Sequence, residues 1–113
     1  MSNKLVESFP NLKFTWEASP KWLERQRFDI FCEEYNFAVE YDGEQHFMPV
    51  EHFGGEENFK IVQERDLLKN NKCIKNKCKL FRVKYAYSEE DYLELIQNIQ
   101  RYLEDKNFVP ILR

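Results

Sequence analysis

Residues 27–42, RFDIFCEEYNFAVEYD, constrain the fold more than any other stretch. RFDIF (27–31) and FAVEYD (37–42) are rich in the aromatic and β-branched residues that suit strands. The polar segment between them has room only for a tight reversal, so the pair predicts an antiparallel hairpin. Yet acids lie inside both strands: Asp29 in the first, Glu40 and Asp42 in the second. A charge within a half-buried strand is costly unless something compensates it.

A two- or four-residue loop centred on Glu34 and Tyr35 puts Asp29 directly opposite Glu40. Cβ atoms of such a pair lie about 4.5–5.5 Å apart, where two carboxylates repel. Asp42, two residues on, shares a face with Glu40. Three carboxylates are therefore expected to converge, as a hard divalent cation with oxygen ligands, Mg²⁺ above all, requires. A three-residue loop would shift the pairing by one. The competing reading is that these acids face water on the open side of an antiparallel sheet.

The rest of the chain supplies a frame for the hairpin. LKFTWEA (12–18) alternates apolar and polar residues and predicts a strand, with SPKWLERQ (19–26) as the connection. Residues 43–55 form a loop between glycines, and 56–77 predict a helix with acids at its start and lysines at its end. CKLFRVKY (78–85) is a further strand. Ser88 and Asp91 form a capping box for a helix over 88–104, and a tail follows over 105–113. The order β-β-β-α-β-α makes residues 1–113 a single α/β domain. On the 56–77 helix, Phe59, Val62, Cys73 and Ile74 form a stripe with Asp66 in its middle, while Ile61 and Leu68 lie on the other side. Asp66 then either joins the carboxylates or pairs with an arginine of the sheet. His46, in the loop beside Asp42, can hold or relay a proton near neutral pH.

With 42% apolar and 16% aromatic residues in 113, the chain can build one real core. No apolar run approaches the ~18 residues of a membrane span, and MSNKLVESFPNL lacks the apolar heart of a signal peptide. Three cysteines make no disulfide framework, which points to a reducing compartment: cytoplasm, or nucleus in a eukaryotic setting. Cys32 and two histidines do not complete a zinc set around the C-x4-C pair Cys73 and Cys78. Net charge is −3, but residues 67–87 contain no acid and seven cations: Lys69, Lys72, Lys75, Lys77, Lys79, Arg82 and Lys84. This run either grips nucleic-acid phosphates or is a solvated helix face beside a lysine-guarded edge strand.

The strings FDI, VEYDGEQHF and ERD together resemble the very-short-patch-repair endonuclease-like branch of the restriction-endonuclease (PD-(D/E)-X-K) superfamily, which includes a group of homing endonucleases. The resemblance spans roughly residues 12–103. It implies a restriction-endonuclease-like mixed β-sheet flanked by helices, and Mg²⁺-dependent hydrolysis of DNA phosphodiesters. Mn²⁺ is the other candidate cation, and an RNA-directed nuclease is a further reading, since the same site cuts either polymer. Asp29 matches the metal aspartate of the branch, and Glu40 and Asp42 match the paired acids of the next strand. His46 matches the histidine after the glycine turn, and Asp66 the acid of the ERD helix. Asp29, Glu40 and Asp42 would hold the metal. Two departures stand out. The wider superfamily has a lysine two places after its second acid, where this chain has Asp42. The glutamate of an N-terminal helix has Glu7 as its only counterpart. The alternative is a catalytically inactive module of the same fold that binds nucleic acid or a protein partner.

Overall fold

A computed structural model describes residues 2–43, 55–84 and 86–105. Helix α1 (Ser2–Ser8) leads into strand β1 (Thr15–Ala18) and a 3₁₀ turn (Lys21–Leu23). Strands β2 (Phe28–Cys32) and β3 (Phe37–Asp42), helix α2 (Gly55–Lys75), strand β4 (Lys79–Lys84) and helix α3 (Glu89–Glu104) follow. The domain is α/β, with a mixed sheet in the order β1-β2-β3-β4. The first two pairings are antiparallel and β3–β4 is parallel. A parallel neighbour needs a crossover, and α2 is that crossover.

Alternation along the strands sends side chains to two different layers. Ile30, Val39, Phe81 and Val83 face α1 and α3, where they meet Leu5, Leu95, Ile99 and Tyr102. The Phe37 ring anchors this core, edge-on to Phe14, Phe81 and Tyr102 at centroid distances of 6.1, 5.8 and 5.9 Å. A smaller cluster of Leu23, Phe28, Phe31, Ala38, Cys73 and Cys78 lies under α2. The remaining sheet positions on the α2 side carry the acids.

The hairpin closes with Cys32 paired to Phe37, so its loop holds four residues. Asn36 adopts φ 54° there, a left-handed position that asparagine tolerates. Its amide donates to the carbonyls of Asn76 (3.0 Å) and Lys77 (3.1 Å), tying the hairpin tip to the end of α2. The Tyr102 hydroxyl donates to the Tyr35 carbonyl at 2.7 Å from the other layer.

The bounds of β3 match expectation, and the capping box of α3 is complete. Asp91 N donates to Ser88 Oγ at 3.1 Å, and Ser88 N to Asp91 Oδ2 at 3.0 Å. Several details differ. The first strand starts at Thr15 because Leu12 N closes a turn on the Phe9 carbonyl. The 19–26 connection contains the 3₁₀ turn, and α1 was not anticipated as a helix. Helix α2 stops at Lys75, two residues early, and Lys77 turns left-handed at φ 56°. Ile74 does not join the buried stripe: it is 74% exposed, since at about 100° per residue it has rotated away from the sheet-facing Cys73.

Candidate functional site: a charged layer between sheet and helix

Ile30 pairs with Val39 and Phe31 with Ala38. One further step along this register sets Asp29 opposite Glu40, on the face that alternates away from Ile30 and Val39. The hairpin expectation therefore holds. Glu40 is 7% exposed, and the half-buried Asp29 carboxyl lies beside it. Burial first, and then the neighbouring Asp29, push the Glu40 pKa up to about 7, against the opposing pull of Lys69. Asp29 Oδ2 also accepts from the backbone N–H of Tyr41 at 2.8 Å.

Lys69 reaches this pair from α2. Its ammonium donates to Glu40 Oε1 and, at 2.6 Å, to the Arg27 carbonyl. It lies 5.8 Å from the centre of the Phe28 ring. One residue on, Asn70 accepts a 3.0 Å hydrogen bond from Arg82 Nη2. The other arm of Arg82 donates to Asp42 Oδ1 at 2.8 Å and comes within 3.7 Å of Asp66 Oδ1. Asp42 is 6% exposed.

The acids do not converge three at a time. Asp29 and Glu40 meet; Asp42 turns to Arg82, which neutralises it. Among the described residues no group of three or more His, Cys, Asp or Glu side chains is placed to hold a metal ion. The parallel register explains the split, because it sets Arg82 beside Glu40 and Lys84 beside Asp42 and so interleaves cations with the acids. Asp66 takes the sheet-arginine pairing that was its alternative.

The basic run also divides. Lys69 and Arg82 point inward to Glu40 and Asp42 rather than outward to phosphates. Lys72 donates to the Leu23 carbonyl at 3.2 Å and lies 3.9 Å from Glu24. Lys75, Lys77 and Lys84 are exposed and Lys79 is half-buried. Lys79 and Lys84 end opposite sides of β4, about 17 Å apart at ordinary strand rise, so the run is no single patch. β4 is an edge of the described sheet, in line with the lysine-guarded edge. Glu7 is exposed on α1, which packs on the opposite sheet face from Asp29 and Glu40. His46 lies outside the described residues.

Lys69 as the partner of Glu40 and Asn70 as the partner of Arg82 were missed from sequence. The signal was present: they stand three and four residues after Asp66, on the helix face it marks. Comparison with protein-family models, curated proteins and solved structures finds no match. No described helix is long and apolar enough to cross a membrane.

Proposed function

We propose that the chain is a divalent-cation-dependent endonuclease of restriction-endonuclease-like fold, centred on Asp29, Glu40 and Lys69. The observation that carries this reading is the pair of buried Glu40 and half-buried Asp29, set opposite each other by strand register, with a lysine ammonium from α2 on the glutamate. The pair suits Mg²⁺ or Mn²⁺. Hard cations of this size take one or two protein carboxylates and fill their remaining positions with water and phosphate oxygens. The proton that burial and the neighbouring Asp29 keep on Glu40 is also what a cation would displace. Asp42, committed to Arg82, is left out of the set.

A cation held there supplies phosphate charge neutralisation and an acidified water. The chain's own groups would do the rest. Asp29 and Glu40 hold the carboxylate oxygens in place, Asp29 being pinned by the Tyr41 N–H. Lys69 Nζ, a triple donor beside Glu40, can orient the attacking water or stabilise charge developing on the phosphate oxygens. Arg82, bridging Asp42 and Asn70, fixes the α2 turn that presents Lys69. The exposed Lys75, Lys77 and Lys84 remain for backbone phosphates.

The interleaved cations favour a second reading, an inactive module in which the charged layer only holds α2 on the sheet. Plasmid DNA and a structured RNA incubated with Mg²⁺ or Mn²⁺ separate the two. The nuclease reading expects cleavage of one polymer that EDTA abolishes, and that Asp29→Asn and Lys69→Met each lower at least 100-fold with the circular dichroism intact. No cleavage leaves the inactive module standing; wild-type cleavage by Asp29→Asn, or cleavage that survives EDTA, removes Asp29 and Glu40 as a cation site.

A further inference from the structure

The last turn of α2 ends in a defined chain reversal. Lys77 N donates to the Ile74 carbonyl at 3.1 Å and Cys78 N to the Cys73 carbonyl at 2.9 Å, with Lys77 left-handed between them. This is a Schellman motif, which sets the side chains of the third-last helical residue and of the third residue beyond the helix near each other. Here those two residues are Cys73 and Cys78. Covalent lengths on either side of the 2.9 Å bond keep their Cα atoms within about 6.8 Å, inside the range a disulfide spans. Both pack in the same buried cluster under α2. Cys32, the third thiol, belongs to the core on the opposite sheet face.

We propose that Cys73 and Cys78 form a dithiol site that takes an intrachain disulfide by exchange with a small-molecule disulfide such as oxidised glutathione. The Cys78 thiol beside it holds the Cys73 thiol below its ordinary range despite burial; Lys69 and Arg82 add to this and Glu40 opposes it. Cys73 is thus the attacking thiolate. Its sulfur bonds to one sulfur of the small disulfide, whose S–S bond breaks; the expelled thiolate takes up the proton Cys73 gave. Cys78 then attacks Cys73 in the mixed disulfide. The Cys73–S to small-molecule bond breaks, and the second leaving thiolate takes the proton of Cys78. The protein loses two electrons and the small disulfide becomes two thiols. Both residues are nearly closed off, at 2% and 5% exposure, so reaction proceeds when the final helical turn opens. Once formed, the bond staples the turn after Lys69 and Asn70 to the start of β4.

The native protein is incubated with oxidised glutathione, then unfolded in urea with iodoacetamide to alkylate every remaining thiol, and weighed. The product is expected to be two mass units lighter before alkylation and to carry one alkylated thiol, on Cys32. Trypsin cuts after Lys75 and Lys77, so the two cysteine peptides should stay joined until a reductant parts them. Cys32→Ser should close the bond at the wild-type rate, and Cys78→Ser should stop at a glutathione adduct. Three alkylated thiols, under oxidant that fully oxidises the urea-unfolded chain, would overturn the proposal. A disulfide that includes Cys32 and forms as fast as the Cys73–Cys78 bond would do the same. Cys32→Ser tests it even where Cys78→Ser fails to fold.

Discussion

Burial and the facing Asp29 carboxyl lift the Glu40 pKa from 4.5 to about 7, and this shift has a sign that stability must follow. The folded chain keeps a proton that the unfolded chain releases over that interval. Stability from this group is full below about pH 4.5 and declines as pH rises to about 7, by on the order of 3 kcal/mol. Lys69 limits the loss by pairing with ionised Glu40. Lys69→Met should therefore cost about 2 kcal/mol at pH 8 and under about 1 kcal/mol at pH 5. Urea melts at the two pH values check it; equal losses would mean Lys69 acts through its aliphatic stem on Phe28. Asp29→Asn replaces a repelling carboxyl with a donor and should move the decline to lower pH.

At the scale of elements, caps and turns carry energies that exposed substitutions can read. Ser88→Ala removes one half of the α3 capping box and should cost about 1 kcal/mol, or several degrees of melting temperature. Lys77→Gly relieves a left-handed lysine and should add about 1 kcal/mol; thermal melts of both variants, against wild type, are sufficient. The same elements show what the sequence can disclose. The register of β2 on β3 was legible because the hydrophobic runs and the loop between them admit few pairings. The α3 cap was legible because Ser88 and Asp91 stand at the spacing the cap needs. The end of α2 was not, since a lysine gives no sign of a left-handed turn. α1 escaped because seven residues are too few for periodicity to mark the buried Leu5.

In the whole molecule, the two sides of the sheet are held by different forces. α3 buries Tyr92, Leu95, Ile99 and Tyr102, whereas within α2 only Cys73 is buried. Asp66, Lys69 and Asn70 take the places where a core helix would carry Leu or Ile. α2 should accordingly lose amide protection before α3 as pH rises from 6 to 9, in hydrogen exchange read by mass spectrometry. Equal protection would place the α2 docking in its apolar contacts. The position of Asp66 on the inner face was readable from helical period, but the inward turn of Lys69 and Arg82 depends on the parallel β3–β4 pairing, which no local pattern encodes. That pairing is why three expected carboxylates became two. Metal binding to those two tests the account most directly. Wild type and Asp29→Asn are melted at pH 7.5 in EDTA and then in Mg²⁺ at constant ionic strength. At ten times its dissociation constant the cation should add about 1.4 kcal/mol to wild type, several degrees of melting temperature. Asp29→Asn should start higher in EDTA and gain little from Mg²⁺. If both proteins start alike and respond alike, the Asp29–Glu40 pair is not a cation site and the account is contradicted.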